Sequence, residues 1–105
     1  MNEVSDKRQT SWFLYLIECL DGSIYTGIAR DVAARYAAHL SGKGARYTRA
    51  HPPSRLLAYK EYPDHSSALK AEYRTKQLKP AAKRRFVAEL LDGATEVAAS
   101  SSREL

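Results

Sequence analysis

A mixed α/β (α+β) domain is the fold class this sequence predicts: a small three-stranded sheet with helices packed on it, in the order β-β-α-β-α-α. Three observations carry that expectation. The segment Trp12-Phe-Leu-Tyr-Leu-Ile-Glu-Cys19 is apolar at successive rather than alternate positions, as a central strand covered on both faces is. Asp21-Gly22 is turn chemistry, and Ser23-Ile-Tyr-Thr-Gly-Ile28 after it reads as the returning strand of a hairpin. Further on, segments with helical spacing surround one more strand-like run, Arg55-Leu-Leu-Ala-Tyr-Lys-Glu-Tyr62.

Taken in order, residues 1–11 are polar and read as a disordered leader, and residues 12–91 form the domain. Asp31 can cap a helix running to about Leu40, with Val32, Tyr36 and Leu40 along one side. Ser41 to Pro53 is a basic loop punctuated by Gly and Pro. After the third strand, Asp64 or Ser66 caps a second helix through about Leu78, whose inward side Leu69 and Tyr73 mark. Pro80 suits the first turn of a third helix, which ends near Gly93. Residues 92–105 read as a flexible tail.

Composition narrows the function. At 105 residues the chain is one domain, and 44% apolar with 28% charged residues is enough for one modest core. The longest strongly apolar run, Trp12 to Ile17, is far short of the ~20 residues that span a bilayer. The polar leader carries no hydrophobic signal region, so a cytoplasmic protein with no membrane partner is expected. A single cysteine, Cys19, excludes an internal disulfide, and one Cys with three scattered His makes no structural zinc pattern. The formal charge is +5, unevenly placed: from Lys43 to Arg85 there are twelve Lys and Arg against three acids. A surface of one sign attracts polyanions, and nucleic acid is the cytosolic candidate. Within that stretch Lys43, Arg46, Tyr47 and Arg49 combine flexible backbone, cations and an aromatic ring in one loop. The backbone of a nucleic acid fits those cations, and Tyr47 offers a stacking surface for an unpaired base.

Several residues invite chemistry, each with a plainer alternative. Tyr15 and Tyr25 lie one in each strand of the hairpin, where aromatic residues also serve as core. Arg35 and His39, four apart, share a helical face that is either a site or solvated. Glu72 lies ~60° around its helix from Leu69, at the rim of the apolar side. There a carboxylate needs a partner, either a cation bound from solution or Lys76 at i+4. His51 and His65 read as surface residues.

In chain order, Leu14-Tyr15-Leu16, Tyr25-Thr26-Gly27, Arg35 with His39, and Glu72 resemble the GIY-YIG nuclease superfamily. The likeness is greatest to its small stand-alone bacterial members. It extends to Asp21-Gly22-Ser23-Ile24-Tyr25-Thr26-Gly27, to Gly42-Lys43-Gly44-Ala45-Arg46-Tyr47-Thr48, and to Ala68-Leu69-Lys70-Ala71-Glu72-Tyr73. It covers about residues 12–88. The superfamily includes the incision domain of the bacterial excision-repair protein UvrC, and the resemblance implies its fold, a three-stranded antiparallel sheet flanked by helices, which matches the element order read above. The resemblance implies an endonuclease that hydrolyses DNA phosphodiester bonds in repair or recombination. It implies Tyr15 and Tyr25 as paired catalytic tyrosines, Arg35 as catalytic arginine, His39 as the histidine one turn later, and Glu72 as the ligand of one Mg²⁺ or Mn²⁺.

The chemistry suits these residue types. Phosphodiester hydrolysis needs an activated water, counter-charge for the developing anion and help for the leaving group. A single carboxylate with waters and substrate oxygens suits Mg²⁺, and Arg35 presents a permanently charged fork to phosphate. A tyrosine serves as base only if its pKa falls from ~10 toward neutrality; either tyrosine could do so, with Tyr15 preferred. Both tyrosines reach one site only if the hairpin loop is odd. A two-residue loop pairs Tyr15 with Ile28 and sends Tyr25 to the opposite face, so a three-residue loop with Gly22 left-handed is expected. The chain departs from the superfamily pattern at Phe13-Leu14, where Gly-Ile is usual, at Thr26, where Ile is usual, and in having no Asn in residues 79–91. No appended domain selects a target within these residues. Single-stranded or branched DNA (or RNA) recognised by shape, or a targeting partner protein, follows as the expectation. The alternative is a binding module without catalysis, or a subunit active only in a complex.

Overall fold

The computed structural model describes residues 10–104, with side chains described to residue 92. The leader expected over residues 1–11 therefore lies, apart from Thr10 and Ser11, outside the described residues. The elements are β1 (Trp12–Cys19), β2 (Ile24–Ala29), α1 (Val32–Leu40), α2 (Arg46–Ala50), β3 (Pro53–Tyr62), α3 (His65–Lys76) and α4 (Pro80–Glu104). The strands form one antiparallel sheet in the order β2-β1-β3. The continuous apolar run of β1 is thereby explained: it is the middle strand, and Leu14, Tyr15, Leu16 and Ile17 are all 0–1% exposed.

The hairpin has the odd register expected. Tyr15 stands opposite Gly27 and Ile17 opposite Tyr25, leaving Leu20-Asp21-Gly22 as a three-residue loop closed by a 2.8 Å bond from the Cys19 N–H to the Ser23 carbonyl. Gly22 takes φ +86°, a backbone state that a side chain makes costly. Asp21 fastens the turn by accepting from the Ser23 N–H (3.0 Å) and the Ser23 hydroxyl (2.6 Å).

Two layers cover the sheet. On one face Tyr15, Ile17 and Ala29 cluster with Tyr25, Leu56, and Val32 and Tyr36 of α1. On the other, Leu16, Ile24 and Ala58 pack against Phe86, Val87 and Leu90 of α4. Helix α3 lies beside α4 on that second side, where Ala71 and Thr75 share a groove with Phe86 and with Lys60 of β3. Thr26 is buried there at 2% exposure, its hydroxyl without a hydrogen-bond partner among the described residues.

Asp31 and Asp64 cap α1 and α3 by accepting from the Ala34 and Ser67 N–H groups at 3.0 and 2.8 Å. Four expectations need correction. The Ser41–Pro53 loop contains α2, one helical turn in which the Thr48 hydroxyl donates to the Ala45 carbonyl at 3.0 Å. Helix α4 passes through Gly93 to Glu104; a helical Gly costs about 1 kcal/mol against Ala, which does not end a helix lined with alanines. The inward side of α3 is Ala68, Ala71 and Thr75, while Leu69 and Tyr73 are 43% and 69% exposed. In α1 the residue turned inward at the last turn is His39 at 1%, not Leu40 at 56%.

Candidate active site

The odd hairpin register puts Tyr15 and Tyr25 on the same face, with ring centroids 6.2 Å apart. Room for the first ring comes from the residue opposite it. A Cβ on Gly27 would sit 2.6 Å from the Tyr15 hydroxyl, so only glycine lets the phenol lie across β2. Helix α1 brings the other two residues. Its axis passes over this face, and from i and i+4 positions His39 points into the sheet while Arg35 stays at the exposed rim.

His39 is the centre of the cluster. Its Nε2 is 2.9 Å from the Tyr15 hydroxyl and its Nδ1 is 2.7 Å from the hydroxyl of Thr48. Its ring centroid is 5.8 Å from that of Tyr15 and 5.1 Å from that of Tyr25. Burial, reinforced by the Arg35 guanidinium, holds its imidazole below the ordinary 6.5, so it is neutral near pH 7. Tyr15, 1% exposed, moves the opposite way: burial first, then the proximity of Tyr25, push its phenol up to about 12, against a hydrogen bond from Arg35 that pulls it down. A Tyr15 base needs its pKa to fall toward neutrality, and in the protein alone the shift runs the other way. Desolvation outweighs one exposed guanidinium.

From this pair an aromatic column leads outward. Tyr47 stacks near Tyr25 (5.8 Å, 27° between planes) and on His51 (4.2 Å, 21°). The Nδ1 of His51 meets Asp21 of the hairpin loop at 2.6 Å. Tyr47, 38% exposed, therefore has ring neighbours already and is not a free platform. Lys43, Arg46 and Arg49 are exposed around it. None of the three makes an ion pair among the described residues, unlike Arg55 and Arg84, which bind Glu18 at 2.9 Å each.

Glu72 stands apart. It belongs to α3, in the layer behind the sheet, and its partner is Lys76 at 3.2 Å. Among the described residues no hydrogen bond or ion pair joins it to Tyr15, Tyr25, Arg35 or His39, and no three His, Cys, Asp or Glu side chains converge as a metal cage. Its helix packs against β2, the edge strand that carries Tyr25.

Two participants escaped the sequence reading. Thr48 is 2% exposed and bonded to His39; it sits at the end of the Gly42–Thr48 segment, where only the cations and the ring drew notice. His51 read as a surface residue, although its i+4 spacing from Tyr47 is the spacing at which helical neighbours stack.

The fold and this cluster define a class. A family profile described as the GIY-YIG catalytic domain matches residues 11–85, and the chain belongs to the GIY-YIG family. Within it, the chain is similar to UPF0213 proteins of bacteria. It is 52% identical over 82 residues to one from Cupriavidus pinatubonensis, covering 78% of this chain and 91% of that protein. It is 50% identical over 80 residues to YhbQ of Escherichia coli, covering 76% of this chain and 80% of the other. The solution NMR structure of the UPF0213 protein BH0048 from Bacillus halodurans is 42% identical over 74% of this chain and 83% of that one, with a TM-score of 0.49. Among the described residues no helix is long and apolar enough to cross a membrane.

Proposed function

We propose that this protein is a metal-dependent endonuclease that hydrolyses phosphodiester bonds of single-stranded or branched DNA, in the cytoplasm and in repair or recombination. The observation that carries the reading is the meeting of Tyr15, Tyr25 and His39 on one sheet face, with Arg35 at its rim, beside the exposed cations Lys43, Arg46 and Arg49. A phosphate held by those cations lies against Arg35, whose guanidinium is exposed, permanently charged and a donor only. Tyr25 is half-buried where Tyr15 is fully buried, so Tyr25 is the ring that water and phosphate reach. The two rings flank the imidazole: the Tyr25 ring centroid lies 5.1 Å from that of His39, and the Tyr15 hydroxyl is 2.9 Å from its Nε2. A proton taken from the attacking water comes to rest on Nε2 of His39, the neutral base of the group, as the Tyr15 hydroxyl beside it gives up its own proton and receives another.

Glu72 is the carboxylate that the resemblance assigns to a divalent ion, and it is the ligand of this reading. A lone carboxylate fits a hard cation that keeps most of its water, Mg²⁺ or Mn²⁺. When bound, such an ion supplies charge for the developing phosphorane oxygens. Lys76 has to yield the carboxylate, and its long flexible stem makes that a small cost. Target choice rests on nucleic-acid shape or on a partner protein, and RNA offers the same phosphates.

One observation favours a second reading, a nucleic-acid-binding module without catalysis: Glu72 is already neutralised by Lys76. Labelled single-stranded, duplex and branched DNA incubated with Mg²⁺ or Mn²⁺ decides between them. Cuts by the wild type, slowed about 10²-fold or more in Arg35→Ala, support the nuclease. Binding without cuts on every substrate supports the module.

A further inference from the structure

The buried threonine of α2 has a use that its burial alone does not explain. The Thr48 hydroxyl has one proton and two neighbours that want it: the Ala45 carbonyl at 3.0 Å and Nδ1 of His39 at 2.7 Å. If it donates to Ala45, it can only accept from His39, and Nδ1 must carry the imidazole proton. Nε2 then holds a lone pair, aimed at the Tyr15 hydroxyl 2.9 Å away. If it donates to Nδ1 instead, the Ala45 carbonyl loses this bond and Nε2–H turns toward the Tyr15 oxygen, leaving the phenol proton without the imidazole as acceptor. The first arrangement gives each proton a separate acceptor. One contact argues the other way, since the Ala45 N–H also faces Nδ1. At 3.4 Å it is beyond the usual hydrogen-bond range and is much the weaker interaction.

We propose that Thr48 is a positioning residue that holds His39 as the Nδ1–H tautomer, leaving Nε2 free to accept the Tyr15 proton. The ordered chain is Tyr15 O–H to Nε2, Nδ1–H to Thr48 Oγ1, and Thr48 O–H to the Ala45 carbonyl. The segment is built to keep it. A side chain on Gly44 would run into the imidazole, with Cε1 at 2.8 Å from its Cβ, so the backbone that carries Thr48 lies directly on the ring. The titratable and charged groups facing His39 are Tyr15 from β1, Tyr25 from β2 and Arg35 from its own helix. Of these, Tyr15 donates to Nε2 and the Arg35 guanidinium disfavours a second imidazole proton, while Thr48 supplies the acceptor on the Nδ1 side. Its consequence for turnover rests on the nuclease reading; the tautomer does not. The proton balance is simple: the Tyr15 O–H bond breaks as Nε2–H forms, Tyr15 is re-protonated from Tyr25 or water, and Nδ1–H is kept throughout.

The test is the ¹⁵N spectrum of the imidazoles in ¹⁵N-histidine-labelled protein, with His39 assigned by its loss in His39→Gln. In the wild type the two His39 nitrogens should give one protonated Nδ1 and one unprotonated Nε2. Thr48→Val, whose fold the amide spectrum checks, should shift the population toward Nε2–H, and Thr48→Ser should restore the wild-type pattern. A wild-type His39 protonated on Nε2, or a tautomer unchanged in Thr48→Val, overturns the proposal, and should the valine variant not fold, the wild-type and serine spectra decide alone. If the protein cleaves DNA, Thr48→Val should lower kcat about 10²-fold with KM within about twofold, and Thr48→Ser should recover most of it. An equal loss in both variants contradicts the positioning role. A wild type that does not cleave removes the nuclease reading and leaves the spectrum as the judge of Thr48.

Discussion

At pH 7 a phenol pushed up to about 12 is ionised in about one molecule in 10⁵, so Tyr15 does not act as a standing phenolate. It works, on this account, by handing its own proton to His39 as it receives another, which is why the neutrality of His39 and the direction of its Nε2 lone pair matter. The same shift makes a prediction about stability. Between pH 10 and 12 the folded protein keeps the Tyr15 proton while the unfolded chain releases it, so stability is complete below pH 10 and is lost as pH rises toward 12. The loss is about 2–3 kcal/mol as an upper bound. Denaturant titrations from pH 9 to 11.5 should show this slope in the wild type and a flatter one in Tyr15→Phe. A slope unchanged by the substitution places the titrating group elsewhere. His39 has the opposite sign: its lowered pKa means that stability is lost as pH falls below about 6.5.

The elements show which parts of this arrangement could be read in advance. The hairpin register was legible because two tyrosines sharing one site force an odd loop, and Gly22 supplies the left-handed residue such a loop needs. The helix faces were not legible from hydrophobicity. α3 turns Ala68 and Ala71 inward because small residues let the helix backbone approach the sheet, and its larger Leu69 and Tyr73 stay outside. α1 buries His39 in preference to Leu40 because a histidine bonded through both nitrogens has no desolvated polar atom left to pay for. Thr48 was invisible for a related reason: its partner lies nine residues away, across a turn whose helical geometry the glycines and basic residues disguised. Of the residues singled out, Tyr15, Tyr25 and His39 lie together on one face with Arg35 at its rim, and Glu72 is paired with Lys76, the plainer of its two alternatives. On the opposite face, Thr26 is a residue whose polarity nothing rewards. Thr26→Val removes a buried hydroxyl without a partner and should raise stability by about 1 kcal/mol, measured as a higher denaturation midpoint at unchanged slope. A lower midpoint means that the hydroxyl does have a partner in solution.

Across the whole molecule, the basic excess divides into cations that hold the fold and cations that remain free. Arg55 and Arg84 bind Glu18, and Arg84 also donates to the Gly22 carbonyl at 2.9 Å, tying α4 to the hairpin loop. Lys43, Arg46 and Arg49, free of such bonds among the described residues, surround the column that ends at the two tyrosines. Replacing all three by Gln should therefore weaken binding to single-stranded DNA and reduce the slope of log K against log salt by about 2, at about 0.7 per phosphate contact. Replacing Arg55 in the same way should leave the slope nearly unchanged. An equal effect at the two places contradicts this division of the charge.

The central claim is that the clustered tyrosines, arginine and histidine cut DNA with the help of an ion held by Glu72. Single-turnover cleavage of a branched substrate in Mg²⁺, with the wild type beside Glu72→Ala, tests it most directly. The wild type should cut in a metal-dependent way, Glu72→Ala should cut about 10²–10³-fold more slowly or not detectably, and DNA binding should not be weakened by the substitution. Cleavage by Glu72→Ala at the wild-type rate, or none by the wild type while it still binds, contradicts it.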